Sequence, residues 1–234
     1  MNLQIKDEAI FVADSHFNQK NQELLQLLKK IENKEINISQ LFLMGDIFDF
    51  LSCECKYFIK QNIEVITLLN KLSNDLEIIY LEGNHDFNLQ NLFSNIKVIR
   101  RENQPFFAKI EEKKVALSHG DNFLDWKYEL FCKLIRNSIF LKFMNFIDIN
   151  FFISKKLEQA LLNKNICHNI LNFKNIVEKR VKNYVDDIII EGHYHQGKTL
   201  IFKNQKYINI ASLCCQKEYL RFKNNEFFIE KLKD

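Results

Sequence analysis

Five short apolar runs in this chain each stop against a polar cluster, and that recurrence restricts the fold more than any other feature. Ile10-Phe11-Val12-Ala13 runs into Asp14-Ser15-His16, and Leu41-Phe42-Leu43-Met44 into Gly45-Asp46. Ile78-Ile79-Tyr80-Leu81 leads to Gly83-Asn84-His85-Asp86. Val115-Ala116-Leu117 leads to His119-Gly120-Asp121, and Ile188-Ile189-Ile190 to Gly192-His193-Tyr194-His195. Each run has strand length and strand composition. Leucines and isoleucines recur at helical spacing over 18–33 and 56–72, between the first three runs. Such alternation predicts a parallel sheet with helices on its faces, and ligands collect beyond the carboxyl ends of its strands. Five distant segments can therefore converge on one crevice.

The rest of the chain divides in two. Residues 122–184 contain neither glycine nor proline and read as several helices. The expected organisation is a core of 1–121 and 185–234 with a helical insertion, or cap, over 122–184. Within it, 139–153 is strongly apolar and aromatic, and an acyl pocket, a membrane-resting patch and plain core are all open readings. After the last histidine pair, β-type runs at 199–202, 207–211, 219–222 and 227–230 suit antiparallel strands of a second sheet packed on the first.

The clusters hold five of the six histidines and four of the five glycines. Imidazole and carboxylate bind divalent ions, and glycine lets the backbone turn where side chains would crowd a site. Two ions ~3.5–4 Å apart can clamp the attacking and leaving oxygens of a phosphoryl displacement. About seven ligands would serve such a pair, one carboxylate being shared, and the clusters supply that number. Asp46 suits the shared position, and His193 and His195 can each face a different ion. His168, inside the insertion, is left as structural.

Composition excludes several classes. A net charge of +3 announces no nucleic-acid binding. No apolar stretch of about 18 residues is present, so no membrane span is expected. The apolar strand begins close to the first residue, which leaves no secretory leader to expect. Cys53, Cys55, Cys132, Cys167, Cys214 and Cys215 lack paired zinc-ribbon spacing and are expected as free thiols in a cytoplasmic protein.

These blocks resemble, in order and over nearly the whole chain, those of the calcineurin-like metallophosphoesterases: Asp-x-His, Gly-Asp, Gly-Asn-His-Asp, His and Gly-His-x-His. The resemblance implies a four-layer α/β/β/α sandwich with the helical insertion as a cap, and two divalent ions, most simply Mn²⁺. Asp14, His16, Asp46 and His195 would hold the first ion, and Asp46, Asn84, His119 and His193 the second. His85 would stand by the leaving group or a phosphate oxygen, with Asp86 orienting its ring.

Within the family, Gly45-Asp46-Ile47-Phe48-Asp49 and Gly83-Asn84-His85-Asp86-Phe87 most resemble the branch that cleaves the pyrophosphate of UDP-2,3-diacylglucosamine in lipid A biosynthesis. His85 stands where that branch has arginine. The implied partner is a nucleotide-linked glycolipid, with the products UMP and 2,3-diacylglucosamine 1-phosphate. Peripheral contact with the cytoplasmic face of the inner membrane is a further expectation. The insertion would offer apolar room for acyl chains. Lys127, Lys133, Arg136, Lys155, Lys156, Lys179, Arg180 and Lys182 would offer charge near the phosphates. The alternatives are a nucleotide phosphodiesterase or phosphatase and, more remotely, a non-catalytic scaffold of the same fold.

Overall fold

A computed structural model describes residues 3–233. In chain order its first half comprises β1 (Leu3–Gln4), β2 (Ala9–Val12), α1 (Glu23–Glu32), β3 (Gln40–Leu43), α2 (Lys56–Gln61), α3 (Ile63–Leu72), β4 (Glu77–Leu81), β5 (Lys97–Ile99), β6 (Phe106–Ile110) and β7 (Lys113–Ser118). There follow α4 (Trp126–Ile135), α5 (Ser138–Ile147), α6 (Phe152–Leu162), α7 (Phe173–Arg180), β8 (Ile188–Glu191), β9 (Lys198–Phe202), β10 (Gln205–Asn209), α8 (Leu213–Gln216), β11 (Glu218–Lys223) and β12 (Glu226–Lys231).

Two six-stranded mixed sheets carry the fold, in the orders β12-β11-β2-β3-β4-β5 and β1-β6-β7-β8-β10-β9. Alternate residues of each strand serve opposite faces. Ile10, Val12, Leu41, Leu43, Ile78 and Tyr80 pack with the leucines of α1 and α3. Their neighbours Phe11, Phe42, Ile79 and Leu81 pack with Val115, Leu117, Ile190 and Ile208 of the other sheet. On that sheet's outer face, Ala116, Ile189 and Tyr207 meet Phe173 and Val177 of α7. The layers therefore run α/β/β/α.

One expectation is corrected here. The five apolar runs do not share a sheet: β2, β3 and β4 lie in the first, β7 and β8 in the second. The later runs are divided likewise, β9 and β10 joining β8 while β11 and β12 extend from β2. The physical reason is that both faces of each run are apolar. Helices cover one face, and only a second sheet can cover the other. Helical spacing over 56–72 also conceals a break at Asn62, which leaves helical geometry while its side chain donates to Phe58 O at 2.8 Å. Over 18–33 the helix itself starts only at Glu23. Before it, Asn18 Oδ1 accepts from Lys20 N and Asn21 N in a local turn.

The helices of 122–184 behave in two ways. Phe173, Val177, Val181 and Tyr184 are buried core. By contrast, α5 buries only Leu141, while Ile139, Phe143 and Phe146 stay exposed. Plain core is therefore excluded for α5. Among the described residues no helix is long and apolar enough to cross a membrane.

Candidate metal centre

The loops leaving β2, β3, β4, β7 and β8 bring all seven ligand-type side chains together at one end of the two sheets. Asp46 lies at the middle. Its Oδ1 is 3.6 Å from His119 Nε2, and its Oδ2 is 3.9 Å from His16 Nε2. Asp14 Oδ1 is 3.3 Å from His195 Nε2, and Asn84 Oδ1 is 3.2 Å from His119 Nε2. Donor atoms within 4.8 Å of one another form three overlapping groups: Asp14, His16 and His195; Asp46, His119 and His193; and His16, Asp46 and His85.

Whether this donor set suits a cation can be judged from its hydrogen bonds. His119 Nδ1 donates to Met44 O at 3.0 Å and His195 Nδ1 to Ile166 O at 3.1 Å. Each ring is thereby fixed in the tautomer whose Nε2 lone pair faces the cluster. His16 is buried with no hydrogen bond at either ring nitrogen. A buried imidazole normally has partners for both nitrogens; here Nδ1 lies 3.5 Å from Asp49 Oδ1, and a cation would take up the other nitrogen. The backbone is also held unusually. Asp14, His16, Asp46, His193 and His195 all have positive φ, a conformation that costs energy in non-glycine residues and clusters at functional sites. Glycine lets the loops close. A Cβ at Gly45 would come within 2.4 Å of His119 Nδ1, and one at Gly83 within 2.2 Å of Asp46 Oδ1. The residues fit a divalent pair.

The electrostatics agree. Burial alone would raise the Asp46 carboxyl, yet the imidazoles of His119, His85 and His16 outweigh it and hold the group ionised. Burial likewise opposes ionisation of Asp14, and His195 reverses it. Burial would lower His119, but Asp46, Asp121 and Asp14 push it up to about 9. His193 drops to about 4 through burial and the nearby His119.

His85 and Asp86 are arranged differently from the expectation. The His85 ring is oriented by the backbone carbonyl of Asp49, which accepts from Nδ1 at 2.6 Å. Asp86 instead accepts from the backbone N–H groups of Asp46, Ile47 and Gly83 and from Tyr80 OH, at 3.0, 2.6, 2.8 and 2.6 Å. It therefore builds the two loops rather than the ring's position. A carboxylate with two oxygens already shared among backbone donors has no geometry left for the neighbouring imidazole. Burial, with the Asp46 charge beside it, pushes the Asp86 carboxyl up to about 6.

Three supports escaped the sequence reading. Asp49, within Gly45-Asp46-Ile47-Phe48-Asp49, acts through its backbone carbonyl on the His85 ring, which a sequence block does not signal. Asn209 donates to Glu191 O and Gly192 O, bracing the Gly-His-x-His loop, and Ser212 Oγ donates to Asp14 O at 2.7 Å. Asn209 interrupts the apolar run 207–211, a lone polar residue within a strand pattern and the only trace of its role in the sequence. Arg180 is also reassigned. It is buried against Glu191 at 2.6 Å and bonds Asn122, so it holds β8 in place and is closed to substrate. The cysteine expectation is corrected as well: Cys167 and Cys215 form a disulfide, while Cys53, Cys55, Cys132 and Cys214 are free. Sequence spacing misses this bond because the loop at 167 folds back onto α8 from far along the chain.

Beside the centre lies a cavity of about 640 Å³. Asn84, His85 and His193 form its polar end. Phe50, Phe58 and Phe87 of the core and Phe131, Phe140, Leu141, Met144 and Leu157 of the insertion form its apolar walls. Lys164 is the only lysine or arginine among its lining residues.

Comparison with known proteins gives the family. The Calcineurin-like phosphoesterase family model matches residues 9–197. The chain belongs to that family and is a metal-dependent hydrolase. It is 26% identical over 210 residues to the UDP-2,3-diacylglucosamine hydrolase of Wigglesworthia glossinidia brevipalpis, covering 85% of this chain and 83% of that one. It is 23% identical to the enzyme of the same name from Vibrio atlanticus, with 80% of each chain covered. Among solved structures, the E. coli phosphoesterase Yfce matches with a TM-score of 0.52 at 13% identity, over 97% of this chain and 93% of that one, a likeness of fold.

Proposed function

We propose that this chain cleaves the pyrophosphate of UDP-2,3-diacylglucosamine, releasing UMP and 2,3-diacylglucosamine 1-phosphate. The observation that carries the reading is the continuity of the apolar cavity with the ligand cluster through Asn84, His85 and His193. Such a cavity gives acyl chains a dry wall while their phosphates reach the polar end. The names of the two relatives support the same substrate.

In this reading Asp14, His16, Asp46 and His195 hold one divalent ion and Asp46, Asn84, His119 and His193 the other, with Mn²⁺ as the proposed metal. When bound, such a pair activates water and neutralises phosphoryl charge. The chain supplies the rest. Asp49 O accepts from His85 Nδ1 and so sets the ring at the polar end of the cavity; Nε2 donates to a phosphate oxygen or to the departing group when the ring is in its imidazolium form. Asp86 acts as a positioning residue by fixing the Asp46 and Asn84 loops. Lys164 sits where a cation can pair with the substrate's phosphates. Residues 122–184 act as the cap, with α7 as the part that anchors it to the core. The exposed face of α5, with Phe146 83% and Ile139 80% accessible, is proposed to rest on the cytoplasmic face of the inner membrane.

A second reading, a nucleotide phosphodiesterase or phosphatase of other specificity, draws on His85 standing where the lipid-cleaving branch has arginine. One assay separates the two. Mn²⁺-loaded protein is expected to release UMP from UDP-2,3-diacylglucosamine. Hydrolysis of bis(p-nitrophenyl) phosphate without turnover of the lipid would favour the second reading.

A further inference from the structure

The Cys167–Cys215 disulfide ties the insertion's return loop to the core beside a ligand-type histidine. Residues 165–170 of that loop have no helix or strand, and exposed Cys167 is joined to Cys215 of α8. The preceding residue, Ile166, supplies the carbonyl that accepts from His195 Nδ1, and Cys215 Sγ lies 4.0 Å from the same nitrogen. Polar contacts from Gln196 add to the tie: Oε1 accepts from Ile170 N at 3.0 Å, and Nε2 donates to His168 O at 3.1 Å. The same loop brings Lys164 to the cavity. Cys214 is a free thiol whose Sγ lies 3.8 Å from Cys215 Sγ and also contacts Asp14 O and Ser212 Oγ at 3.4 and 3.2 Å.

We propose that the Cys167–Cys215 bond is a thiol-exchange site for low-mass thiols, and that its state locks or releases this loop and, through Ile166, the His195 ring. Cys167 is the exposed residue of the pair and Cys215 is half-buried, so attack falls on Cys167. A glutathione thiolate forms a mixed disulfide with Cys167 Sγ. The Cys167–Cys215 bond breaks, and Cys215 leaves as a thiolate that takes a proton from solvent. A second glutathione thiolate attacks the mixed disulfide and releases Cys167, which is protonated in turn. The products are two protein thiols and one oxidised glutathione. Two electrons and two protons have passed from two glutathiones to the protein.

Once released, the loop no longer pins the Ile166 carbonyl against His195. The ring loses the partner that fixes its tautomer, and loss of such a partner typically weakens metal binding by about 10–100-fold. The metal arm of this inference rests on the proposed ligand role of His195, whereas its loop arm rests on geometry alone.

The test compares full-length protein oxidised with diamide, the same protein reduced with glutathione and then desalted, and Cys167→Ser. Alkylation mapped by mass spectrometry reads the bond, hydrogen exchange reads residues 163–172, and calorimetric titration reads Mn²⁺ affinity. In the oxidised form Cys167 and Cys215 are expected to resist alkylation. Reduction and Cys167→Ser are each expected to speed exchange over 163–172 and to weaken Mn²⁺ binding by about tenfold, with Cys53→Ser matching the parent chain. Alkylation of both cysteines after diamide would overturn the proposal, as would unchanged exchange over 163–172 on reduction. A faster loop with unaltered Mn²⁺ affinity would overturn the link to His195. Failure to cleave UDP-2,3-diacylglucosamine would bear only on the proposed substrate.

Discussion

The ligand cluster and α5 of the insertion are opposite solutions to burial. In the cluster, polar and strained groups are enclosed and braced: Asp14, Asp86, His119 and Glu191 are buried, and neighbouring backbone or side chains claim most of their atoms. In α5, large apolar side chains stand in water and only Leu141 is buried. A rigid double sheet can hold side chains in costly conformations because its packing over-determines them. Apart from α7, which packs into the sandwich, the insertion has no comparable core: α4 buries only Cys132, α5 only Leu141 and α6 no side chain. Polar links tie this part to the sandwich, among them Arg136 Nη2 to Gly83 O and Glu129 to Arg101. Chemistry needs the first kind of region; a lipid-shaped or membrane-shaped partner needs the second.

This contrast can be broken most forcefully at its rigid side. Asp46→Asn or His119→Ala is expected to lower turnover by more than the roughly 100-fold that follows loss of an outer support. Circular dichroism should stay native while a phosphodiester assay falls to background. Retained activity in either variant would remove the cluster from the chemistry.

Next in size is Glu191→Ala, which strands the buried Arg180 guanidinium without its partner. A destabilisation of about 3–5 kcal/mol is expected, read as a lower midpoint in urea. A change below about 1 kcal/mol would show that the Arg180 network is dispensable to the sandwich.

The insertion should respond through substrate and not through stability. Phe140→Ala and Met144→Ala each remove wall from the cavity. Losing one buried apolar side chain's contact with an acyl chain corresponds to about 1.5–3 kcal/mol, or roughly 10–100-fold in kcat/KM for the lipid. Turnover of bis(p-nitrophenyl) phosphate should hardly move. Equal losses on both substrates would erase the proposed division of labour.

The smallest effect is electrostatic. The Arg101 guanidinium, hydrogen-bonded to Glu129, holds that carboxyl below its ordinary 4.5. A depressed folded value means the link stabilises fully above about 4.5 and is lost as pH falls through the lower folded value. Glu129 is partly exposed, so solvent screening limits the contribution to about 1 kcal/mol or less. The protection of α4, its exchange rate measured against the intrinsic rate at the same pH, should fall as pH is lowered below 4.5, and Glu129→Gln should remove that dependence. An α4 with the same pH response in the variant would contradict the assignment.

How much of this was readable in the sequence follows the same contrast. The clusters were legible because scarce glycine and histidine sit directly after apolar runs, and each of the seven ligand-type residues does lie at the common end of the sheets. Division of the runs between two sheets was not legible, since a strand buried on both faces looks alike whether helices or another sheet cover it. The braces at Asp49, Asn209 and Ser212 act through backbone atoms whose positions depend on the finished fold. The disulfide joins segments brought close only by the insertion's return. For α5 the pattern displayed apolar residues without saying what faces them, and exposure decides that only in three dimensions.

Manganese-edge anomalous diffraction from crystals of the Mn²⁺-loaded protein tests the central claim most directly. The expected map shows two ions, one among Asp14, His16 and His195, the other among Asn84, His119 and His193, with Asp46 touching both. A single ion, or ions bound away from Asp46, would contradict the account.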